Sequence, residues 1–397
     1  MHKKNKILVI SQFYAPEPIG SPPVITDICE NIAKENWDVN VITTRPSYPI
    51  GSIFNGYENG EKDNEKINNV TIKRLKAIPT KNGGIFARLI SEFFFGVMLL
   101  KEAFTKHTKY DYVISLCPSM FVPFLANFFY SKKGCHITII HDIPSELGVN
   151  LKFKGASFLS GIIKFVERVS FNKADKIITL SEGMKKELKK NKIKKPIIIL
   201  PPHINTYKIF PLPDKEKDTL LYSGNFGRKQ GLYQILDLAK ILKITMPGVR
   251  IILRGKGNQE NIIKEQAKEL DNVFFKDLEK IEKLNESLSE GTIHLVPQIP
   301  EGANSAVPSK LYLIMASGRT AICTANEGSP LDNLAKETNA FAVVPPNAPK
   351  EFAQSVQELI NNKEQRQQMG KNGREYVEKY ASHTFITKKI LELLKNE

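Results

Sequence analysis

The amino-acid sequence predicts an α/β protein made of two doubly wound, Rossmann-like domains. Three observations predict it. At 397 residues the chain is longer than one ordinary core accommodates. Short apolar runs alternate with helical patterns along its length, as expected for mostly parallel sheets covered by helices. A proline- and charge-rich stretch, residues 206–218, interrupts that alternation near the middle. The boundary is therefore placed there, with an N-terminal domain over 1–205 and a C-terminal domain over 206–397.

Composition narrows the class. A hydrophobic content of 41% with 25% charged residues describes a globular chain rather than a disordered one. The four cysteines, Cys29, Cys117, Cys135 and Cys323, show no CxxC spacing and read as reduced residues, with no disulfide framework or zinc site. MHKKNKILVISQF runs straight into a strand, its apolar run is too short for a signal peptide, and no stretch reaches eighteen apolar residues. A cytoplasmic location is expected. The net charge of +15 is uneven: residues 1–210 carry 31 Lys and Arg against 18 Asp and Glu, residues 211–397 only 26 against 24. The first half therefore suits an anionic partner, either nucleic acid or a membrane surface.

Lys6 to Gln12 reads as the first strand. Prolines 16, 18, 22 and 23 mark the loop after it, and a helix runs from Val24 to Lys34. Gly20 and Ser21 stand just ahead of that helix, where backbone N–H groups meet a phosphate or a sugar. A dinucleotide-binding domain would carry GxGxxG after the first strand; SQFYAP stands there instead, which argues against a dehydrogenase. A strand over Val39–Thr43 follows, then residues 49–68, polar and rich in Asn, Glu and Lys, which read as a mobile loop before a strand over Val70–Leu75.

Residues 83–107 form the most apolar helix. Phe93, Phe94, Phe95, Val97, Met98, Leu99 and Leu100 cover more circumference than a one-sided surface helix needs. Two readings stay open: a helix sandwiched between sheet and another element, or a face that dips among lipid headgroups while Lys76, Lys81, Arg88, Lys101 and Lys106 hold anionic lipid. FLANFFYSKKG, where aromatic residues run into Lys132 and Lys133, is a second such patch.

A strand over Tyr112–Cys117, a helix over Met120–Tyr130 and a strand over His136–Ile140 continue the alternation. The last stops at HDIPSE. Ligands of open α/β sheets sit outside the carboxyl ends of strands, so His141, Asp142 and Glu146 are candidate site residues. Asp142 also fits a turn before proline. A helix over Phe158–Phe171, a strand over Lys176–Leu180, a helix over Glu182–Lys190 capped by Ser181 and a strand over Ile197–Leu200 close the first half.

The second half opens on YSGNFGRKQG, residues 222–231. A strand runs into a turn with Gly224, Asn225 and Gly227, two cations follow, Arg228 and Lys229, and Gly231 leads into a helical pattern. Strand, glycine turn, cations and helix N-terminus in that order make an anion site. A strand over Val249–Arg254 ends in a second small basic turn, Gly255-Lys256-Gly257. A helix over Asn261–Leu270, a strand over Val273–Lys276, a helix over Glu279–Ser289 and a strand over Thr292–Val296 precede PQIPEGANSAVPSK. Pro308, Ser309 and Lys310 start the helix KLYLIMASG; strands over Thr320–Thr324 and Ala340–Val344 and helices from Pro349 onward finish the chain.

Taken together, FYAPEPIGS, HDIPSE, YSGNFGRKQG, LRGKG, VPQIPEG and PSKLYLIMASGR resemble, in order and spacing, the retaining GT-B glycosyltransferases of family 4, over essentially the whole length. SGNFGRKQG with GANSAVPSK looks most like N-acetyl-L-fucosamine transferases of capsule and O-antigen synthesis. The resemblance implies a GT-B fold, two Rossmann-like domains facing across a cleft, with the last C-terminal helix packed back on the N-terminal domain. It implies a nucleotide-sugar donor, UDP-linked, bound mainly by the second domain, and a lipid-linked sugar acceptor on undecaprenyl diphosphate bound mainly by the first. The enzyme would then work peripherally on the anionic inner face of the bacterial cytoplasmic membrane.

Carried over by position, Arg228 and Lys229 hold the donor diphosphate, with Gly20, Ser21, Gly224 and Asn225 about it. Arg254, Lys256 and Gly257 lie near the nucleotide, Glu301 near the donor sugar, and Pro308, Ser309 and Lys310 open a helix facing the diphosphate. Asp142 or His141 orients a sugar and assists proton transfer, and Glu146 meets the acceptor. No DxD or metal-ligand spacing is present, so no metal cofactor is expected. Two positions depart from the family: Leu313 stands where a ribose-binding glutamate is usual, and Gln230 where the second lysine of the diphosphate pair is usual. A GT-B sugar-nucleotide epimerase is the alternative enzyme. A basic nucleic-acid-binding protein is the non-enzymatic one, although no nucleic-acid module is recognisable and no nucleic-acid partner is expected.

Overall fold

The computed structural model of the protein describes residues 4–18, 20–80, 85–105, 109–117, 119–145, 156–213, 218–300 and 307–395. The chain divides into two compact units, Met1–Pro201 with Ile386–Glu397, and Pro202–Phe385.

In the first unit the strands and helices follow as β1 (Lys6–Ile10), α1 (Ser21–Lys34), β2 (Asp38–Thr44), β3 (Asn64–Ile67), β4 (Val70–Leu75), α2 (Ile85–Thr105), β5 (Tyr110–Cys117), α3 (Val122–Leu125), β6 (Tyr130–Ile140), α4 (Ala156–Phe171), β7 (Lys176–Thr179), α5 (Glu182–Lys190) and β8 (Ile197–Ile199). The sheet order is β3-β4-β2-β1-β5-β6-β7-β8. Every pairing is parallel except β3 with β4. Strands such as KILVI are buried along most of their length, as a sheet covered on both faces requires. Ser181 caps α5 as expected, its Oγ accepting the Met184 N–H at 3.2 Å.

Two local expectations are corrected. Residues 64–67 do not belong to a loop: they pair antiparallel with β4 around Asn68-Asn69, both in the left-handed region with φ of 47° and 66°. That two-residue turn matches the strand twist and closes a hairpin. The helix expected over 120–130 is α-helical only over α3 and then tightens into a 3-10 turn, Ala126–Phe128. The Asn127 amide donates to the Pro123 and Phe124 carbonyl oxygens at 3.1 and 3.0 Å, competing with the backbone for them, and β6 already starts at Tyr130.

The second unit continues as β9 (Thr219–Ser223), α6 (Tyr233–Thr245), β10 (Arg250–Arg254), α7 (Glu260–Gln266), β11 (Val273–Lys276), α8 (Leu284–Ser289), β12 (Ile293–Val296), α9 (Ser309–Ala316), β13 (Thr320–Thr324), α10 (Pro330–Thr338), β14 (Ala342–Val344), α11 (Pro349–Asn361) and α12 (Lys363–Tyr380); the last helix, α13 (His383–Lys395), starts in it and from Ile386 onward belongs to the first unit. The six strands of the second unit are all parallel, in the order β11-β10-β9-β12-β13-β14, the doubly wound order of a Rossmann sheet. The order reverses between β9 and β12, so the carboxyl ends of those strands form the crevice in which such sheets bind ligands. Helix α10 is absent from the sequence expectations despite a legible start: the Ser329 Oγ accepts the Asp332 N–H at 3.2 Å, and Pro330 fills the first helical position.

Candidate functional site

At the end of β9 the chain turns through Gly224, whose φ of 150° is costly for any residue with a Cβ. The Gly224 N–H donates to the Arg254 carbonyl oxygen at 2.9 Å and the Phe226 N–H to the Lys256 carbonyl oxygen at 2.8 Å, so the turns after β9 and β10 are bonded to each other. A Cβ on Gly255 would collide with the Gly224 carbonyl oxygen. Both glycine turns thus form one close-packed backbone floor at the switch point.

Three cations stand on the segments that border this floor, and one of them, Lys310, touches it. Arg228 and Lys229 lie in a single 3-10 turn, Arg228–Gln230, and both are exposed. Among the described residues neither side chain enters an ion pair. Lys310, the second residue of α9, reaches in from the other side of the switch point. Its Nζ donates to the Tyr222 hydroxyl and to Gln230 Oε1, each at 3.1 Å, and lies 4.2 Å above the Tyr222 ring centre. Gly224 makes room for it, since a Cβ there would stand 2.8 Å from Lys310 Nζ. Loss of water around the ammonium lowers the Lys310 pKa to about 8. The Tyr222 hydroxyl in turn donates to the Asn225 carbonyl oxygen at 2.6 Å. Gln230, at the family's second lysine position, is therefore in hydrogen-bond contact with a lysine from a different element.

The other residues named from the sequence fall in varied places. Arg254 is buried, its guanidinium bonded to Ser287 and, at 2.7 Å, to Glu290. These bonds commit its guanidinium within the second unit. Lys256 is exposed and pairs with Asp277 at 3.0 Å, while Gly257 closes the second turn against Asn225 and Phe226. Pro308 and Ser309 form the start of α9, and Leu313 packs against the core of the second unit. Glu146 and Glu301 lie outside the described residues.

In the first unit the sheet order reverses between β1 and β5. Gly20, with φ of 85°, precedes α1, and Ser21 is its first residue. Pro22 and Pro23 follow at once and lack N–H groups, so the start of α1 offers fewer donors than the sequence reading supposed. His141 and Asp142 stand together at the end of β6. His141 is half-buried, and burial lowers its pKa against the opposing pull of Asp142, which is exposed. Sequence reasoning missed one residue here. Glu17 is buried and accepts N–H groups from Tyr14, Ser47 and Tyr48 at 3.1, 2.9 and 2.9 Å, bracing the loop after β1. In the second unit it missed Tyr222; a tyrosine ending a buried strand needs a partner for its hydroxyl, which was the available signal.

Among the described residues no helix is long and apolar enough to cross a membrane. Residues 20–208 match the family model Glycosyltransferase Family 4, and residues 204–376 match Glycosyl transferases group 1. WcaI of Escherichia coli (strain K12), provisionally named a colanic acid biosynthesis glycosyl transferase, is 27% identical over 359 residues, 85% of this chain and 88% of its own. Sucrose-phosphate synthase of Thermosynechococcus elongatus superposes with a TM-score of 0.76 at 17% identity over 99% of both chains. Anabaena HepE, solved with UDP and glucose, superposes with a TM-score of 0.69 at 13% identity over 99% of this chain and 100% of its own. These matches do not favour the epimerase reading. The two family models, one following the other along a fold shared over the full length, identify the chain as a GT-B glycosyltransferase.

Proposed function

We propose that the protein is a retaining transferase that moves a sugar from a UDP-linked donor, with N-acetyl-L-fucosamine the best candidate, to a sugar carried on undecaprenyl diphosphate in capsule or O-antigen synthesis. The observation that carries the donor half is the glycine floor at the β9/β12 switch point with Arg228, Lys229 and Lys310 about it. HepE, of the same fold, was solved with UDP. The acceptor half is supported by the similarity to WcaI, whose name places it in polysaccharide synthesis, and by the basic first half of the chain.

As the anomeric bond breaks, charge develops on the departing nucleoside diphosphate. Arg228, Lys229 and Lys310 stabilise it, and fixed groups do so without reorganising at the moment of reaction. The departing phosphate assists deprotonation of the acceptor, while Asp142 or neutral His141 orients a sugar and helps move the proton. Donor preference is tested by thermal shift with UDP and GDP and then with their sugars, followed by transfer to a short lipid-diphosphate acceptor. Stabilisation by GDP but not UDP would overturn the donor assignment. Arg228→Ala is expected to lower turnover by about 100-fold or more while weakening donor binding much less. Unchanged turnover would remove Arg228 from the mechanism, and normal transfer by Asp142→Ala would remove Asp142.

A further inference from the structure

Helices α2, α3 and α4 enclose a cavity of about 270 Å³ on the first unit, just below the size of common small-molecule sites. Its wall is apolar. Phe93 and Val97 come from α2, Phe121 and Phe124 from around α3, and Phe165 and Val169 from α4. The one hydroxyl in the lining, that of Ser170, is occupied by accepting the Phe124 N–H at 2.9 Å. The mouth stays open to water: Phe93 is 62% exposed and Phe165 56%. Large apolar groups gathered around an open apolar hollow mark a binding surface rather than ordinary scatter.

The charge on these helices is segregated. Sequence places three acidic residues on α2 and α4, Glu92, Glu102 and Glu167, and all three are buried. Glu92 pairs with Arg88 at 3.1 Å, Glu102 with Lys73 at 2.5 Å, and Glu167 accepts the Ser145 N–H at 2.6 Å. The outward side is left with cations. Arg168 lies 5.4 Å over the Phe165 ring and Lys173 5.8 Å over the Phe124 ring, while Lys101 and Lys164 are exposed on α2 and α4. An apolar hollow with two cations over the rings of its wall, on helices whose carboxylates are buried, complements a hydrocarbon chain ending in phosphate.

We infer that this cavity holds part of the isoprenoid chain of a polyprenyl phosphate or diphosphate, with Arg168 and Lys173 beside its anionic end. The identity of the lipid rests on the acceptor proposed above; the binding is measurable apart from it. The probe is farnesyl phosphate, titrated calorimetrically into the full chain, with inorganic phosphate and farnesol as controls. Farnesyl phosphate is expected to bind, farnesol more weakly and inorganic phosphate not at this site.

Gly96 lines the cavity, and a Cβ there meets Leu125 and Phe121 at ordinary contact distances of 3.6 and 3.7 Å. Gly96→Leu is therefore expected to fill the hollow and weaken farnesyl phosphate at least about ten-fold, leaving UDP affinity unchanged. Arg168→Glu with Lys173→Glu, which leaves the cavity wall intact, is expected to do the same should Gly96→Leu fail to fold. Wild-type affinity in a folded variant overturns the site. So does sedimentation with phosphatidylglycerol vesicles without farnesyl phosphate binding, which assigns the face to the bilayer surface instead. A chain that binds UDP but no farnesyl phosphate loses this site and keeps the transferase reading. One that binds farnesyl phosphate but no nucleotide keeps the site and loses the UDP donor.

Discussion

Lys310 has the most to gain from a diphosphate. Partly buried against the Tyr222 ring, it is held by two neutral oxygens and lacks a carboxylate partner among the described residues. With a pKa of about 8, the free enzyme carries this cation below pH 8 and loses it above. The sign for catalysis follows: kcat/KM for the donor should fall as pH rises through about 8. Lys310→Met is expected to raise donor KM roughly ten-fold and abolish that alkaline limb, whereas Lys310→Arg keeps its charge and moves the limb out of range. A pH profile of Lys310→Met that still bends near 8 would assign the titration elsewhere. Lys310 was legible as a site residue from PSK at a helix start. Its contact with Gln230 was not, because the two are 80 residues apart in the chain.

At the scale of elements, the floor of the site depends on how closely two strand ends approach. β9 and β10 run parallel in register, so their glycine turns meet, and the position of Gly255 over the Gly224 carbonyl leaves no volume for a methyl group. Its φ of 151° adds strain for any L side chain. Gly255→Ala should therefore destabilise the second unit by on the order of 2 kcal/mol or more, with UDP binding falling alongside. Chemical denaturation and a nucleotide titration measure both, and wild-type stability would show that the floor relaxes. The misread elements have local causes. The Asn68-Asn69 hairpin and the Ser329 cap were written in short signals that the surrounding polar composition concealed. Helix α3 ended early because one asparagine side chain took two backbone acceptors, which periodicity does not register.

Across the whole molecule, each sheet carries one buried neutral histidine, His136 in β6 and His294 in β12. The His136 Nε2 is 2.8 Å from the Ser115 hydroxyl, and the His294 Nε2–H donates to the Leu288 carbonyl oxygen at 3.0 Å. Burial lowers their pKa values to about 3 and about 4. The unfolded chain therefore binds these protons below about pH 6.5 while the folded chain does not, so stability rises with pH between about 4 and 6.5. Each is expected to remove on the order of 1–2 kcal/mol by pH 5. His136→Gln and His294→Gln should flatten the acid side of a Tm-against-pH curve, and an unaltered curve would place the acid sensitivity elsewhere.

What the sequence determined by itself is local. Strand and helix periods, turn glycines, caps and the order of the motifs are set by backbone conformations that near neighbours dictate, and they sufficed for the fold class and the glycosyltransferase family. Tertiary structure decided which of the candidate groups are free. It tied Arg254 into a buried pair with Glu290, brought Lys310 to Tyr222 across 88 residues, and turned every carboxylate of α2 and α4 inward around an open apolar hollow. Those outcomes depend on which strands lie side by side, and side-chain partners at such separations are chosen by packing rather than by any pattern along the chain.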